Sequence, residues 1–230
     1  MRTFLKWIVG LLLFLVLVGL VTYLVLDETK PEGVQGPQAE ALADKMLRAT
    51  NLAAWDTTKV ISWDFGGRHQ FKWNKAQDSV DVMWGDVLVK LHTKSVTGAA
   101  FVNGKQLTGD EANQLVQSAW SYFCNDSFWL SAPYKIRDPG TSRSLVTLPN
   151  GDDALMVSYD SGGVTPGDSY LWILDEAGLP TAWKMWTQII PIGGIEASWG
   201  NYKTLPSGAV LAQSHKIIVL PLELSGITEE

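Results

Sequence analysis

Residues 59–91, with the sequence KVISWDFGGRHQFKWNKAQDSVDVMWGDVLVKL, decide the fold of this chain. Apolar residues recur at every second position in short runs, and a period of two places alternate side chains on opposite faces of an extended strand. Gly85-Asp86 is typical of a tight turn between two such runs. The stretch therefore predicts a meander of antiparallel strands. The alternating residues are Trp63, Phe65, Phe71, Trp73, Val80, Val82, Trp84, Val87, Val89 and Leu91.

The same pattern resumes in the second half of the chain. Asn103-Gly104 and Asn150-Gly151 supply the positive φ angles that two-residue hairpins require. Gly- and Pro-containing segments separate the later runs. The sequence pattern as a whole predicts about eleven strands. Those after residue 141 are predicted at 144–148, 154–159, 170–174, 181–188, 195–199 and 210–219.

Two stretches repeat their apolar residues at helical spacing instead. The first runs from Ala39 to Ala53, and the second follows Thr108-Gly109-Asp110-Glu111, which has the pattern of a capping box. Asn125-Asp126-Ser127 is predicted to end the second helix. Its apolar stripe is typical of a helix that covers a sheet, so the fold class is α+β. The stripe consists of Ala112, Leu115, Val116, Ala119, Trp120 and Phe123.

The N-terminal segment has the composition of a membrane anchor. Residues 7–26 carry no charge, and a helix of that length spans about 30 Å, the thickness of a bilayer core. Arg2 and Lys6 precede the run and Asp27 and Glu28 follow it, which places the rest of the chain across the membrane from the cytoplasm. The alternative is a cleaved signal peptide, whose apolar core is usually only about 7–15 residues long.

The boundaries follow from these patterns. We predict a transmembrane anchor at 1–26, a linker at 27–37 with Pro and Gly, and one domain at 38–230. The formal charge is −6, and because Arg2 and Lys6 contribute +2, residues 27–230 carry −8. A domain with this net negative charge does not attract the phosphate backbone of a nucleic acid. We therefore expect no nucleic acid partner.

Several short motifs resemble those of a bacterial family. They are NDSFWLSAPYK at 125–135, Asp138-Pro139-Gly140, the segment 165–170 and the segment 175–180. This block resembles an uncharacterised bacterial envelope family that shares the fold of the periplasmic lipoprotein carriers, the LolA-like fold. The resemblance covers roughly residues 38–220. It implies a strongly curved antiparallel half-barrel with helices on its concave face, and a groove for acyl chains.

The tryptophans are the candidate lining of that groove. Ten of the eleven lie beyond the anchor, and several alternate along predicted strands so that they share a face. The alternative is that they fill an ordinary sheet–helix core, because large rings bury area efficiently. Asp168, in the turn Thr165-Pro166-Gly167-Asp168, is the polar candidate. The predicted ligand-binding residues are Trp73, Trp84, Trp120, Trp172, Trp186 and Asp168.

Catalytic and metal chemistry find little support in the sequence. The three histidines lack the spacing of a metal site, so we predict no metal, no cofactor and no catalytic residue. Gly162-Gly163 and the following Thr165-Pro166-Gly167 are typical of turns rather than of a phosphate-binding loop. Cys124 is the only cysteine and is expected to be a buried small hydrophobe. A second polar pair is Lys135 with Asp138.

The sequence thus favours a non-enzymatic domain that binds a lipid or another apolar ligand. It would be anchored in the bacterial inner membrane through residues 7–26, as a single-pass signal anchor, with the C-terminal domain in the periplasm. The alternative is a structural or interaction module of the cell envelope with a filled core and an envelope protein as partner. A hydrolase is the third possibility.

Overall fold

The computed structural model of the protein describes residues 2–161 and 164–230, so the predicted Gly162-Gly163 turn lies outside the described residues. The chain forms helices and one large antiparallel sheet. The helices are α1 (Arg2–Leu26), α2 (Pro37–Thr50), α3 (Leu52–Thr57) and α4 (Gly109–Ser131), with short 3₁₀ turns at Lys75–Gln77 and Ala132–Lys135.

The sheet is curved and has 14 strands in the part of the chain described, so the prediction of about eleven was too low. The predicted runs in the second half of the chain leave out the strands at Gly200–Thr204 and Leu220–Glu229. The strands are β1 (Val60–Phe65), β2 (His69–Asn74), β3 (Ser79–Trp84), β4 (Val87–His92), β5 (Thr97–Val102), β6 (Lys105–Gln106), β7 (Thr141–Thr147), β8 (Asp153–Tyr159), β9 (Ser169–Leu174), β10 (Pro180–Trp186), β11 (Ile195–Ser198), β12 (Gly200–Thr204), β13 (Val210–Ile217) and β14 (Leu220–Glu229).

The strand order shows two meanders that meet in the middle of the sheet. The order is β6-β5-β4-β3-β2-β1-β14-β13-β11-β10-β9-β8-β7, with β12 paired to β13. After β6 the chain passes through α4 and returns at the far edge as β7. The last strand, β14, then pairs with β1, and Phe65 lies opposite Leu224 in that register. The first and last strands therefore join the two halves.

Helix α4 is longer than the sequence pattern predicts. Asn125-Asp126-Ser127 does not end it, and the helix continues to Ser131. The reason is tertiary: Asp126 and Ser127 are buried, and the Asp126 carboxylate contacts His69 of β2 at 2.6 Å. The capping box is also absent, because the Thr108 side chain makes no capping hydrogen bond.

The core lies between the sheet and the helices α2 to α4. Alternate residues of the first meander point into it, as the period of two predicts, and Ile61, Trp63 and Phe65 of β1 are all buried. From α4, Val116, Ala119 and Phe123 are buried against the sheet. The alternation and the helical stripe therefore describe the same apolar layer from two sides.

Among the described residues, one helix is long and apolar enough to cross a membrane. It comprises Lys6–Leu26 within α1, with a mean hydropathy of 2.9, and no part of it is buried in the protein. An N-terminal signal sequence can meet the same criteria of length and hydropathy.

The segment after α1, residues 27–34, is hydrogen-bonded to the sheet. Glu28 N–H donates to the Gly193 carbonyl at 3.0 Å, and Gly193 N–H donates to Asp27 Oδ1 at 2.8 Å. Further along, Val34 and Leu145 of β7 exchange two backbone hydrogen bonds. The composition of the linker thus predicts an irregular segment. It does not predict these hydrogen bonds to the sheet, which depend on the fold.

Candidate functional site

A cavity of about 790 Å³ opens beside α4 in the second half of the sheet. It lies between the C-terminal part of α4, the ends of β8, β9 and β10, and the turn between β13 and β14. Its volume falls within the range of about 300–1,000 Å³ that is common for small-molecule sites.

Aromatic side chains form the inner wall of the cavity. Phe128 of α4 stacks on Trp183 of β10, with ring centroids 5.7 Å apart. Tyr159 of β8 and Tyr170 of β9 meet the same Phe128 ring at 5.4 Å and 4.9 Å. Phe128 is in the helix because α4 continues past Asn125, so the wall depends on that extension.

Asp168 forms a polar cluster at one side. Its carboxylate accepts hydrogen bonds from the Thr165 hydroxyl at 2.7 Å and from the Gln188 backbone N–H at 2.9 Å. The Tyr170 hydroxyl also donates to it at 3.4 Å. Asp168 is buried, and these bonds tie the loop before β9 to the loop after β10. These hydrogen bonds give Asp168 a structural role at the edge of the cavity.

Three buried polar atoms of the lining have no hydrogen-bond partner among residues 2–161 and 164–230. They are the Tyr159 hydroxyl, Trp183 Nε1 and Thr187 Oγ1. Burial holds the pKa of Tyr159 well above its ordinary value, so its phenol stays protonated and can donate a hydrogen bond. An unpaired buried polar group costs stability, and such groups need a physical explanation.

Cys124 and Lys135 also line the cavity. Cys124 is half-buried, which differs from the expectation of full burial, and desolvation raises the pKa of its thiol to about 12. The thiol is therefore protonated and a poor nucleophile near neutral pH. Lys135 contacts Asp138 at 3.4 Å, and both belong to the lining.

The cavity brings together two of the six predicted ligand-binding residues, Trp120 and Asp168. Trp73 instead packs edge-on against Phe123, with centroids 5.1 Å apart, and Trp84 packs edge-on against Tyr122 at 5.2 Å. Trp172 is fully buried against Trp183.

Trp186 lies on the opposite side from this cluster of rings. It packs on the separate small core formed by Val146, Ala154, Met156 and Leu171. Its Nε1 donates to the Glu28 carbonyl at 2.7 Å. Trp186 therefore holds the linker against the sheet in this structure.

The residues that sequence reasoning missed are Phe128, Tyr159, Trp183 and Thr187. Phe128 was within reach, because it belongs to the aromatic segment 125–135. Tyr159 and Trp183 sit on predicted strands, but a strand pattern does not reveal which end of the strand borders a cavity. Only the packing of α4 across those strand ends makes them neighbours.

His69 is half-buried and contacts the buried Asp126. His69 Nδ1 lies 2.6 Å from Asp126 Oδ2 and its ring stacks on Tyr122. Burial raises the pKa of the Asp126 carboxyl, although its bonds to Asn125 and His69 act in the opposite direction. Among the described residues, no group of three or more His, Cys, Asp or Glu side chains could hold a metal ion.

His215 is buried between aromatic rings. Trp199 and Trp129 meet its ring edge-on, at 4.5 Å and 5.2 Å. Its Nδ1 lies 3.2 Å from the Ser198 carbonyl, and burial lowers the pKa of His215 to about 4. This histidine is therefore neutral near pH 7 and belongs to the core.

Solved structures that are similar to this chain include two bacterial proteins. A DUF1329 family protein from Desulfovibrio piger aligns with a TM-score of 0.42 and 11% identity, covering 84% of this chain and 93% of its own. A domain from Vibrio parahaemolyticus, described as a "putative outer membrane lipoprotein-sorting protein", aligns with a TM-score of 0.37 and 10% identity, covering 82% of this chain and 93% of its own.

These are the two kinds of protein that the sequence motifs predicted, an uncharacterised family and a lipoprotein-sorting domain. At this level of similarity the likeness says nothing about what the cavity holds. No protein-family description matches the sequence, and no curated protein matches it.

Proposed function

We propose that this chain is a membrane-anchored envelope domain whose half-barrel binds a lipid or another apolar ligand without transforming it. The cavity of about 790 Å³ carries the proposal. About two thirds of its lining residues are aromatic, aliphatic or otherwise apolar, and its polar residues, which include Arg68, Lys135 and Asp168, could orient a ligand in the site. Phe128, Trp183 and Tyr170 would contact the apolar body of the ligand.

The unpaired polar atoms support a ligand with a hydrogen-bond acceptor. Trp183 Nε1 is a donor only, and the protonated Tyr159 and Thr187 hydroxyls can donate as well. A carboxyl or ester oxygen on an acyl chain would satisfy such donors. We therefore favour an acyl lipid over a pure hydrocarbon, because a hydrocarbon would leave these groups without partners.

A non-enzymatic role is consistent with the titratable groups. The Cys124 thiol has no base activating it and a raised pKa. His69 pairs with Asp126 through Nδ1, but among the described residues no hydroxyl or thiol forms a hydrogen bond with Nε2 of His69. The arrangement of nucleophile, base and orienting acid that a hydrolase requires is thus missing from the described part of the chain.

Anchoring by α1 completes the proposal. The 21-residue segment Lys6–Leu26 is long enough to span a bilayer, and Arg2 and Lys6 favour a cytoplasmic N-terminus. We place the domain on the periplasmic side of the bacterial inner membrane. Such a tethered domain would receive, hold or sense a lipid near its own membrane.

A structural or interaction module remains the second candidate. The packing of Trp73, Trp84 and Trp172 into the core favours it, because these rings fill the space that the sequence assigned to a groove. In that case the aromatic cavity would be a gap between packed elements that has no affinity for lipids.

Two matched tyrosine variants separate the candidates. In the full-length protein in detergent micelles, binding of a dansyl-labelled fatty acid would be followed by energy transfer from tryptophan. Tyr159→Phe should weaken binding about tenfold, since it removes about one hydrogen bond, and should leave the free energy of unfolding unchanged or raised. Absence of saturable binding to the wild-type protein would refute the lipid-binding proposal.

Tyr134→Phe is the control. The Tyr134 hydroxyl lies 2.7 Å from both the Thr50 and the Val210 carbonyl oxygens, either of which can accept its single hydrogen, and it lies outside the cavity lining. Its loss should lower the free energy of unfolding by about 1–3 kcal/mol without weakening the binding of the fatty acid.

A further inference from the structure

The exposed apolar side chains of the domain are concentrated at the cavity. Among residues 27–161 and 164–230, six large apolar side chains are exposed, and five of them lie on three loops whose residues line the cavity. We call these five the apolar rim. They are Val164 (47% exposed), Ile189 (67%), Ile218 (56%), Val219 (71%) and Leu220 (68%).

The turn between β13 and β14 has an unusual sequence. Ile217 pairs with Leu220, so Ile218 and Val219 form a two-residue hairpin turn, and Ile218 has φ 57°. Where only the first central residue of a two-residue turn has a positive φ, glycine is preferred there, because a β-branched residue at positive φ is strained. This turn combines backbone strain with two exposed apolar side chains. Neither feature stabilises the isolated domain, which indicates that an apolar surface covers the turn.

Hydrogen bonds connect the rim to the end of α1. Asp27, the residue after α1, accepts a hydrogen bond from Gly193 N–H, and Lys184 contacts Glu28 at 2.7 Å. Ile189 is four residues from Gly193, a reach of at most about 14 Å. Ile218 N–H donates to the Glu196 carbonyl at 3.2 Å, which ties the second loop to the same region.

We propose that the apolar rim rests in the surface of the bilayer that α1 spans, so that the cavity opens directly onto the membrane. The inference rests on the proposed anchoring by α1 and is independent of any ligand in the cavity. Because residues 27–230 carry a net negative charge, the contact would be driven by burial of apolar side chains rather than by anionic headgroups.

The test measures the depth of single fluorescent labels in the full-length protein. The protein, with Cys124→Ala to remove the native thiol, is reconstituted in phosphatidylcholine vesicles. An NBD label is placed at Val219→Cys, at Val96→Cys or at Leu15→Cys. Val96 is the control, since it is another β-branched residue at positive φ (52°) in a turn, is half-buried, and lies outside the cavity lining. Quenching by doxyl-labelled lipid and by aqueous iodide is then compared.

We expect doxyl lipid to quench the label at Val219 and iodide to leave it unaffected, with the reverse at Val96. A label at Val219 that iodide quenches as it does at Val96 would overturn the inference. Protection from both quenchers would overturn it too, since a second copy or another protein would then cover the turn. Leu15 reports on α1 itself: without doxyl quenching there, the anchoring fails and the inference fails with it.

A turn replacement checks the contact without disturbing the fold. Ile218→Gly with Val219→Ser supplies the residues preferred in a turn whose first central residue has a positive φ, so thermal stability should not fall. A label at Ile189→Cys should lose its doxyl quenching in this background and keep it in a Val96→Asn background. Unchanged quenching at Ile189 would contradict a role for the turn in holding the rim on the membrane.

Discussion

At the scale of single residues, burial decides the behaviour of the titratable groups. Histidine is ordinarily protonated below about pH 6.5, but desolvation lowers the pKa of His215 to about 4. The rings of Trp199 and Trp129 supply the apolar environment. A sequence pattern places His215 on a strand, yet only the packing shows that its imidazole is enclosed.

This shift makes stability depend on pH. The unfolded chain binds a proton at His215 below about pH 6.5, whereas the folded protein resists protonation down to about pH 4. Stability should therefore be complete above pH 6.5 and fall by about 3 kcal/mol as the pH drops to about 4. Urea unfolding of the wild type and His215→Leu at several pH values measures this, and the variant should lose that part of the pH dependence.

The exposed His92 provides the control. His92→Gln replaces an exposed histidine and should leave the pH dependence that is due to His215 in place. Equal slopes for His215→Leu and the wild type would show that His215 is not the group responsible.

At the scale of elements, the linker is the clearest departure from what its composition suggests. Pro and Gly are typical of a mobile tether, but residues 27–34 are joined to the sheet by backbone hydrogen bonds. Gly33 approaches β7 so closely that a Cβ there would lie 2.4 Å from Ser144 Oγ and 2.8 Å from its Cβ.

Gly33→Ala should therefore loosen the linker. The clash would separate Val34 from Leu145 and break their two hydrogen bonds, while the domain core stays intact. Hydrogen exchange of the Val34 amide should become faster, with no change in the exchange of core strands. Gln35→Ala, at an exposed neighbouring position, should change neither. Slow exchange at Val34 in Gly33→Ala would mean that the strand can shift to accommodate a methyl group.

The helix α4 shows how far element prediction reaches. Its apolar stripe agrees with the period of Val116, Ala119 and Phe123, and the helix begins after Thr108 as predicted, although the capping hydrogen bond expected there is absent. Its end was not, because Asn-Asp-Ser favours termination locally, while burial of Asp126 against His69 and of Ser127 is a long-range effect. The cavity wall depends on that unpredicted extension, since Phe128 lies within it.

At the scale of the whole molecule, the pairing of β1 with β14 joins the two meanders into one sheet. The core cluster extends across both halves, so neither half has a separate large core. We therefore expect the halves to unfold as one cooperative unit.

A proline in the joining strand tests this cooperativity. Leu224→Pro places a residue without an N–H in a central strand at a position that is 1% exposed, which should cost at least about 3 kcal/mol. Hydrogen exchange by mass spectrometry should show that residues 60–106 and 141–186 lose protection together. Gln106→Pro in the edge strand β6 should have a much smaller effect. Persistent protection of one half in Leu224→Pro would indicate two independent folding units.

The sequence by itself determined the α+β class, the helical stripe of α4, most of the strands and the apolar N-terminal run, because these depend on local periodicity and composition. Only the tertiary structure decided the strand order, the docked linker and the cavity. Its lining comes from distant segments, such as Phe65, Phe128 and Leu222, and periodicity within one element carries no information about which elements meet. Of the predicted ligand-binding residues, Trp120 and Asp168 line the cavity, while Trp73, Trp84, Trp172 and Trp186 make other contacts. For the same reason the sequence pattern alone does not distinguish these two groups.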